Sequence, residues 1–456
     1  MPEYTPGHNL EQDIEQVLGL VESRRWAQVR ERLRDFQPFE VAQILFEAPK
    51  SDRALIFRSL PRHQSADIFA HLEPEEQDEL LRDLTDHETR HILANLDPDD
   101  RTALLEELPA EITRRLLSLL DDGDLVEARQ LLGYPEESVG RLMTPDYVSA
   151  LPEWSVERTV QHIRLNGKDS ETINMVYVTN RSGKLLDDFK LRRLILADPE
   201  TRIEDLMDRN FISLSAFDDR EKAVTLMQQY DLIALPVVDS SGVLLGIVTV
   251  DDVFDVAEEE ATEDIQKAAS VSPLKMSYHR AGVLDLFLKR VGWLVALVLL
   301  NLVSAGVIAA FEQSLSEMVV LLFFIPLLIA SGGNAGQQSA TLIIRALTTG
   351  DVDLSEWGAT FAKEIGVGLL LGLTLGLVGG LLGLLRGGFR TDIMIAIALS
   401  MSTIVIVGNS VGMALPFLLA KLKLDPATAS GPLVTTLADA TGLAIYFSMA
   451  TAIIGG

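Results

Sequence analysis

Asp439 lies inside the last long apolar stretch of the chain, in Ser430-Gly431-Pro432-Leu433-Val434-Thr435-Thr436-Leu437-Ala438-Asp439-Ala440-Thr441-Gly442. A carboxylate at that depth in hydrocarbon costs several kcal/mol unless it faces a wet cavity or a cation, so it marks a conduction or transport site. A second apolar stretch carries Pro326 and then Gly332-Gly333-Asn334-Ala335-Gly336-Gln337-Gln338-Ser339-Ala340-Thr341. The proline and the Gly-Gly step predict a weakened helix there, with released carbonyl oxygens able to serve a hydrated cation. Irregular backbone and amides at membrane depth persist only where they are buried in protein or line a wet path. Hydrogen bonding between helices is the other role open to those amides.

A third feature is acidic. Between Asp251 and Asp264 lie Asp251, Asp252, Asp255, Glu258, Glu259, Glu260, Glu263 and Asp264 without one basic residue. On a helix, Asp252, Asp255, Glu259 and Glu263 share one face at i+3 and i+4 steps, where like charges repel. A solvated surface would carry the same pattern. The run directly precedes the first long apolar segment, however, so repulsion that a divalent ion relieves would alter geometry at the membrane. Oxygen-only donors suit a small hard cation such as magnesium, which demands octahedral oxygen ligands and gives up water reluctantly. The chain has no cysteine, and no histidine follows His279, so zinc, copper and iron lack their usual ligands in the membrane half. Its scattered methionines (Met318, Met394, Met401, Met413, Met449) read as packing.

These groups must be positioned by two unlike halves. Of the formal net charge of −27, all but about −2 precedes Leu284. Such a front half excludes nucleic acid as a partner, since that needs clustered Lys and Arg, and favours metal cations. The start, Met1-Pro2-Glu3-Tyr4, is polar, so no secretory signal peptide is expected and the front half is expected in the cytosol. Leu60, Leu72, Leu84, Leu96, Leu108 and Leu120 recur every 12 residues, with Pro61, Pro74, Pro98 and Pro109 close behind four of them. That spacing predicts helices of two to three turns stacked as an α-solenoid, over residues 1–135, with an irregular helical bundle as the alternative.

From about Gly140 short β-branched runs alternate with amphipathic helices in two alignable copies. One runs from Leu142-Met143-Thr144-Pro145 to Leu191-Arg192-Arg193-Leu194-Ile195, the other from Leu206-Met207 to Ile247-Val248-Thr249-Val250-Asp251-Asp252-Val253. They resemble tandem cystathionine-β-synthase (CBS) domains, at 136–199 and 200–257. The first copy departs from that pattern: Asp187 and Asp188 stand where a glycine and an apolar residue are usual, and Arg193 replaces an acid. An acidic connecting helix is expected over 258–283, its mobile part from about Asp255 to Ser277.

Five apolar segments follow, near 291–311, 318–344, 362–385, 393–419 and 428–454, each long enough to cross a bilayer. With the N-terminus inside, cytosolic flanks hold Lys289, Arg290, Arg345, Lys363, Lys421 and Lys423 and external flanks Arg386 and Arg390, as the positive-inside rule requires. Gly368, Gly372, Gly376 and Gly380 in the third segment predict close helix packing, within the chain or across a dimer. The fold class expected is therefore multidomain: an α-helical solenoid N-domain, α/β tandem CBS domains, and an all-α five-helix transmembrane domain over 284–456.

Pro326 with Gly332-Gly333-Asn334-Ala335-Gly336-x-Gln338-Ser339-Ala340-Thr341, together with Pro432-Leu433-Val434-Thr435-Thr436-Leu437-x-Asp439-x-Thr441-Gly442, resembles the signature segments of the MgtE family of magnesium channels. The domain order matches from end to end. That resemblance implies a homodimer in the inner (plasma) membrane, multi-pass, with the ion path on its two-fold axis. It implies Asp439 as the pore magnesium site with oxygens of Ala438, Asn334, Thr435 and Thr436 nearby, and Asp425 near the cytosolic exit. It further implies regulatory magnesium at Asp219, Glu221, Asp231, Asp252, Asp255, Glu260, Glu263 and Asp264, beside Glu259 on the acidic face already described. Asp99 is the N-domain counterpart, although Ala103 stands where a second acid is usual. Relatives of this kind can also bind ATP at the CBS pair, the site where Arg193 and Asp187-Asp188 depart from pattern.

The function expected is passive entry of Mg2+ into the cytosol, closed by cytosolic Mg2+. The alternatives are a broader divalent transporter for Co2+ or Mn2+, or a CBS-regulated channel for another ion. No Gly-x-x-x-x-Gly-Lys-Ser/Thr phosphate loop is present, consistent with flow driven by the gradient alone. An enzyme is not expected. CBS pairs also regulate intramembrane metalloproteases, but those need a His-Glu-x-x-His zinc helix, and the spans hold no histidine.

Overall fold

The computed structural model describes residues 10–168, 170–274, 278, 281–311, 319–386 and 388–454. The chain divides into two compact units, Met1–Ala257 and Glu258–Gly456.

In the first unit, short helices follow one another from Leu10–Glu22 to Asp122–Leu131. Lys50–Ser59 packs on Pro74–Asp83, which packs on Pro98–Glu107, while Asp86–Leu93 packs on Ala110–Leu117. This two-layer stacking is the solenoid the repeat predicts. The recurring leucines sit at the turns: Leu60, Leu84 and Leu108 are extended residues that end Lys50–Ser59, Pro74–Asp83 and Pro98–Glu107, and all three are buried. Pro74 and Pro98 open their helices at the first turn, where a missing N–H costs nothing.

Two three-stranded sheets follow. In one, β1 (Tyr147–Ala150) pairs parallel with β2 (Thr172–Thr179), which pairs antiparallel with β3 (Leu185–Lys190). In the other, β4 (Leu214–Ser215), β5 (Ala234–Val238) and β6 (Leu244–Thr249) repeat that order. The hairpins bond to each other, Leu185 N–H to Gly242 C=O at 2.9 Å and Leu244 N–H to Gly183 C=O at 3.0 Å.

The departure at Asp187 has a physical reason. In the second copy Thr144 and Ile247 exchange backbone bonds of 2.9 and 2.8 Å, and a Cβ on Gly246 would lie 2.5 Å from the Thr144 carbonyl oxygen. In the first copy Asp187 is fully buried, and its carboxylate accepts the N–H groups of Asp208 at 2.8 Å and Arg209 at 3.0 Å. A side chain supplies the acceptor that backbone supplies in the other copy. Arg193 pairs with Asp208 at 3.1 Å beside it.

The acidic run is helical from Val250 to Ala268. The helix thus begins earlier than 258 and stops well short of Ser277, with Ser270 in the left-handed region at φ 60°. Lys275–Ser277 lie outside the described residues.

Among the described residues five helices are long and apolar enough to cross a membrane. They are Val283–Ala310, Ile325–Thr348, Trp357–Arg386, Thr391–Lys421 and Gly431–Ile454, called the first to fifth spans. The second span is one continuous helix, so the expected weakening at Pro326 and Gly332-Gly333 does not occur. Pro326 falls in the first turn, where no intrahelical donor is lost. The glycines serve approach instead. A Cβ on Gly336 would lie 2.7 Å from the Gly408 carbonyl oxygen of the fourth span and 3.0 Å from Val434 of the fifth. In the third span, a Cβ on Gly372 would lie 2.7 Å from the Ser402 carbonyl oxygen, so that glycine track packs on the fourth span within the chain.

Gly336→Ala is therefore expected to destabilise the folded protein by about 1–3 kcal/mol, as overpacking against backbone does. Gly366→Ala, with nothing within 4 Å of the added carbon, should leave it unchanged or firmer. Thermal unfolding of the two variants in detergent checks the difference, and equal melting would contradict it.

Candidate ion path and its acidic surfaces

Asp439 stands one helical turn after Thr435 on the fifth span, and Gly333 of the second span lies against both. A Cβ on Gly333 would sit 3.3 Å from Thr435 Cγ2 and 3.6 Å from Asp439 Oδ1. The missing side chain leaves room beside the carboxylate. Asp439 is half-buried and has no hydrogen-bond or ion-pair partner among the described residues. The neighbouring hydroxyls are turned inward: Thr435 and Thr436 donate to the Pro432 carbonyl at 3.0 and 2.8 Å. Thr441 donates to the carbonyls of Leu437 and Ala438 at 2.9 and 3.1 Å. With their protons engaged, the threonine oxygens keep only lone pairs to offer, which suits a cation or its water shell.

Of the predicted pore residues, Thr435 and Asp439 meet at Gly333. Ala438 is buried, and Asn334 is exposed with no bond to Asp439.

Asp425 lies in the loop before the fifth span. It accepts Lys267 Nζ at 2.6 Å and caps Ala427 N–H at 2.8 Å. Lys267 also pairs with Glu263 of its own helix, and Ser270 and Ser430 share a hydrogen bond of 2.6 Å. The end of the acidic helix is thereby fastened to the loop leading into the span that carries Asp439. Burial, then Asp425, pushes the neighbouring Asp264 carboxyl above its usual range.

The acids of the first unit form a second cluster. Asp99 is buried in the first turn of Pro98–Glu107, and burial, then Asp252, Asp100 and Glu171, hold its carboxyl well above the usual range. Burial raises Asp252 to about 7 despite a 2.7 Å bond from Thr249, with Asp251, Asp100 and Asp255 adding to the rise. Glu171 is pushed up to about 7 and Asp100 to about 6, each by burial first and then by Asp97. Asp99, Asp252 and Asp255 thus belong to one electrostatic group, although Ala103 stands where a second acid is usual.

Asp97, Asp100, Asp251 and Glu171 were not anticipated as members. Asp97-Pro98-Asp99-Asp100 reads as an ordinary acidic helix start, and Glu171 stands alone in sequence. Asp219, Glu221 and Asp231 lie apart, exposed at the two ends of Glu221–Tyr230, where Asp219 caps Glu221 N–H at 2.9 Å and Asp231 holds a left-handed turn. Glu259 is exposed, whereas Glu260 and Glu263 are half-buried. Among the described residues no three of these side chains converge as a ready metal site.

Two features escaped the sequence reading. Glu364 of the third span accepts Ser339 Oγ at 2.9 Å and Asn409 Nδ2 at 2.8 Å, so Asp439 is not the only carboxylate within the spans. A His-Glu-x-x-His string also occurs outside the spans, at His87-Glu88-Thr89-Arg90-His91. Its glutamate is committed to structure: Glu88 accepts Arg58 at 2.8 Å and Thr85 N–H at 2.8 Å, and the Arg58 bond holds its carboxyl down at about 2. A carboxylate so paired is no general base near neutrality.

Five membrane-length helices, one carrying a carboxylate with no partner among the described residues, in one chain with CBS sheets and an acidic helix, define a membrane-embedded cation transporter with a regulatory front half. Family comparison agrees. Residues 325–449 match the divalent cation transporter domain of MgtE, 36–137 the MgtE intracellular N domain, and 203–259 a CBS domain, the second of the two copies. The magnesium transporter MgtE of Thermus thermophilus is 42% identical over 92% of this chain and 94% of its own. That of Bacillus subtilis is 33% identical over 97% of both. The solved cytosolic domain of the Mg2+ channel MgtE in complex with ATP superposes with a TM-score of 0.50 and 36% identity, over 53% of this chain and 99% of that domain. The chain belongs to the MgtE family of magnesium transporters.

The raised carboxyls set a pH dependence. The unfolded chain releases these protons near pH 4, whereas the folded protein keeps those of Asp100, Glu171 and Asp252 to about 6–7. Without divalent ions, stability of the first unit should fall as pH rises from about 4 to 7 and level off above. Melting in chelator at pH 5.5 and pH 8 checks this, and Asp252→Asn should flatten the profile. A flat profile for the unaltered protein would contradict it.

Proposed function

We propose that this protein passes Mg2+ into the cytosol down its electrochemical gradient, as a homodimer in the inner (plasma) membrane with its front half cytosolic. The observation that carries the reading is the half-buried Asp439 carboxylate, set against Gly333 and Thr435 with no cationic side chain paired to it among the described residues. Magnesium keeps several waters and binds few carboxylates, so one acid per subunit beside inward-turned threonines supports passage of a hydrated ion. A membrane potential supplies about 4.6 kcal/mol per 100 mV to an entering divalent ion, so no coupled ATP hydrolysis is required. The relatives named as magnesium transporters support the choice of ion.

In this reading cytosolic Mg2+ closes the path. Bound at the acids of the N-domain, CBS pair and connecting helix (Asp99, Asp252, Asp255, Glu259, Glu260, Glu263, Asp264), it cancels repulsion and favours the compact arrangement. At low Mg2+ the bare acids repel and the connecting helix is released. Asp219, Glu221 and Asp231 form a second set of regulatory ligands at another face. Asp425 lines the cytosolic exit. ATP binding by the front half is supported by the solved cytosolic domain that holds ATP, while Arg193 and Asp187-Asp188 count against it at this CBS pair.

Two variants in proteoliposomes test this. Asp439→Ala should reduce Mg2+ uptake to the level of empty vesicles, and normal uptake would reject the pore assignment. Asp255→Asn with Glu259→Gln should leave uptake intact but insensitive to Mg2+ on the cytosolic side. Unchanged inhibition would reject the regulatory assignment, and competition by Mn2+, Co2+ and Ca2+ in the same vesicles tests the choice of ion.

A further inference from the structure

Glu364 is a carboxylate within the third span, and burying one there is costly unless it is hydrogen-bonded. Its Oε2 collects a hydroxyl proton from Ser339 of the second span and an amide proton from Asn409 of the fourth, and Asn409 donates to the Glu364 backbone carbonyl as well, at 2.8 Å. Both donors are 2% exposed. One oxygen thus joins three helices by charge-assisted bonds, stronger than neutral ones.

The surroundings are built for this junction. One turn along the third span, Gly368 packs beside the amide: a Cβ there would lie 3.5 Å from Asn409 Nδ2, at ordinary contact distance. Asn409 is flanked in sequence by Gly408, whose carbonyl lies against Gly336, one turn before Ser339. The junction therefore sits beside a close backbone approach of the second and fourth spans. Six residues separate Gly333 from Ser339, which places them roughly 120° apart around the helix. The side of the second span that carries Gly333 looks at Thr435 and Asp439, and another side is pinned by Glu364.

We infer that Glu364 is a positioning residue for the ion path: its bonds to Ser339 and Asn409 fix the rotation of the second span and hence the gap between Gly333 and Asp439. The inference rests on the proposed passage of ions beside Asp439. A magnesium-sized opening needs that gap held closely, so loosening the pin should relax discrimination as well as rate.

The test uses the full chain in proteoliposomes, with equal amounts of folded protein verified by melting. Glu364→Ala should lower Mg2+ uptake by about tenfold or more, the factor that about 1.4 kcal/mol gives, and raise Ca2+ uptake relative to Mg2+. Asn409→Asp should do the same by setting two carboxylates together. The conservative Glu364→Gln keeps a side-chain oxygen to accept from Ser339 and Asn409, whose amide also stays on the 364 backbone carbonyl, and should hold uptake and the Mg2+/Ca2+ ratio clearly nearer the unaltered protein than Glu364→Ala does. The inference is overturned if Glu364→Ala or Asn409→Asp keeps normal rate and ratio, or if Glu364→Gln is no better than Glu364→Ala. Failure of the transport reading shows differently, as an unaltered protein that carries no Mg2+ or an Asp439→Ala variant that carries it normally.

Discussion

A negative charge without a counter-charge, held at the depth of a bilayer, is the constraint around which the membrane unit is arranged. Asp439 has no partner among the described residues, and lipid offers it none. The nearest elements yield space instead of bonds: Gly333 presents no side chain to it, and Thr435 turns its hydroxyl proton to Pro432. Keeping that space open demands that the helices be fixed elsewhere. Gly336, Gly372 and their neighbours bring backbone against backbone, and Glu364 binds three spans at one oxygen. Tight packing on one side of the second span permits a gap on the other.

The acids of the first unit obey the same electrostatics outside the spans. Asp99, Asp100, Glu171 and Asp252 are crowded and wholly or partly buried, and each resists ionisation first because of burial and then because other acids are near. Such a cluster stores repulsion that a divalent cation can remove. At the far end of the acidic helix the charge logic reverses. Lys267 supplies a positive charge to Glu263 and Asp425, so the helix is attached to the membrane unit by an ion pair even where its other end is purely anionic. Ser270 and Ser430 add a second fastening at the same place.

Much of this was legible in the sequence because period and hydropathy are local signals. The leucine repeat gave the solenoid, the spans followed from length, and Asp439 announced itself by its surroundings. The errors share a cause: each concerned what a residue meets across space. Pro326 and Gly332-Gly333 read as a broken helix, yet proline in a first turn is harmless and glycine was needed for Ile404 and Thr435 to approach. Asp187 read as erosion of the CBS pattern, while in the fold it is an acceptor for two backbone N–H groups 21 and 22 residues away. Glu364 and Glu171 drew no attention in the sequence because the residues around them in the fold belong to other elements. The His87–His91 string shows the converse, a pattern with chemical meaning spent on an Arg58 ion pair.

The central claim is that Asp439 receives a hydrated dication. The direct measurement is anomalous diffraction from crystals of the full protein soaked in Mn2+, which scatters where Mg2+ binds and can be located unambiguously. A peak roughly 2–4.5 Å from the Asp439 carboxylate, direct or through one water, and absent in Asp439→Asn, is the expected result. Manganese peaks at the acids of the first unit with none beside Asp439, or an Asp439 side chain turned to lipid, would contradict it.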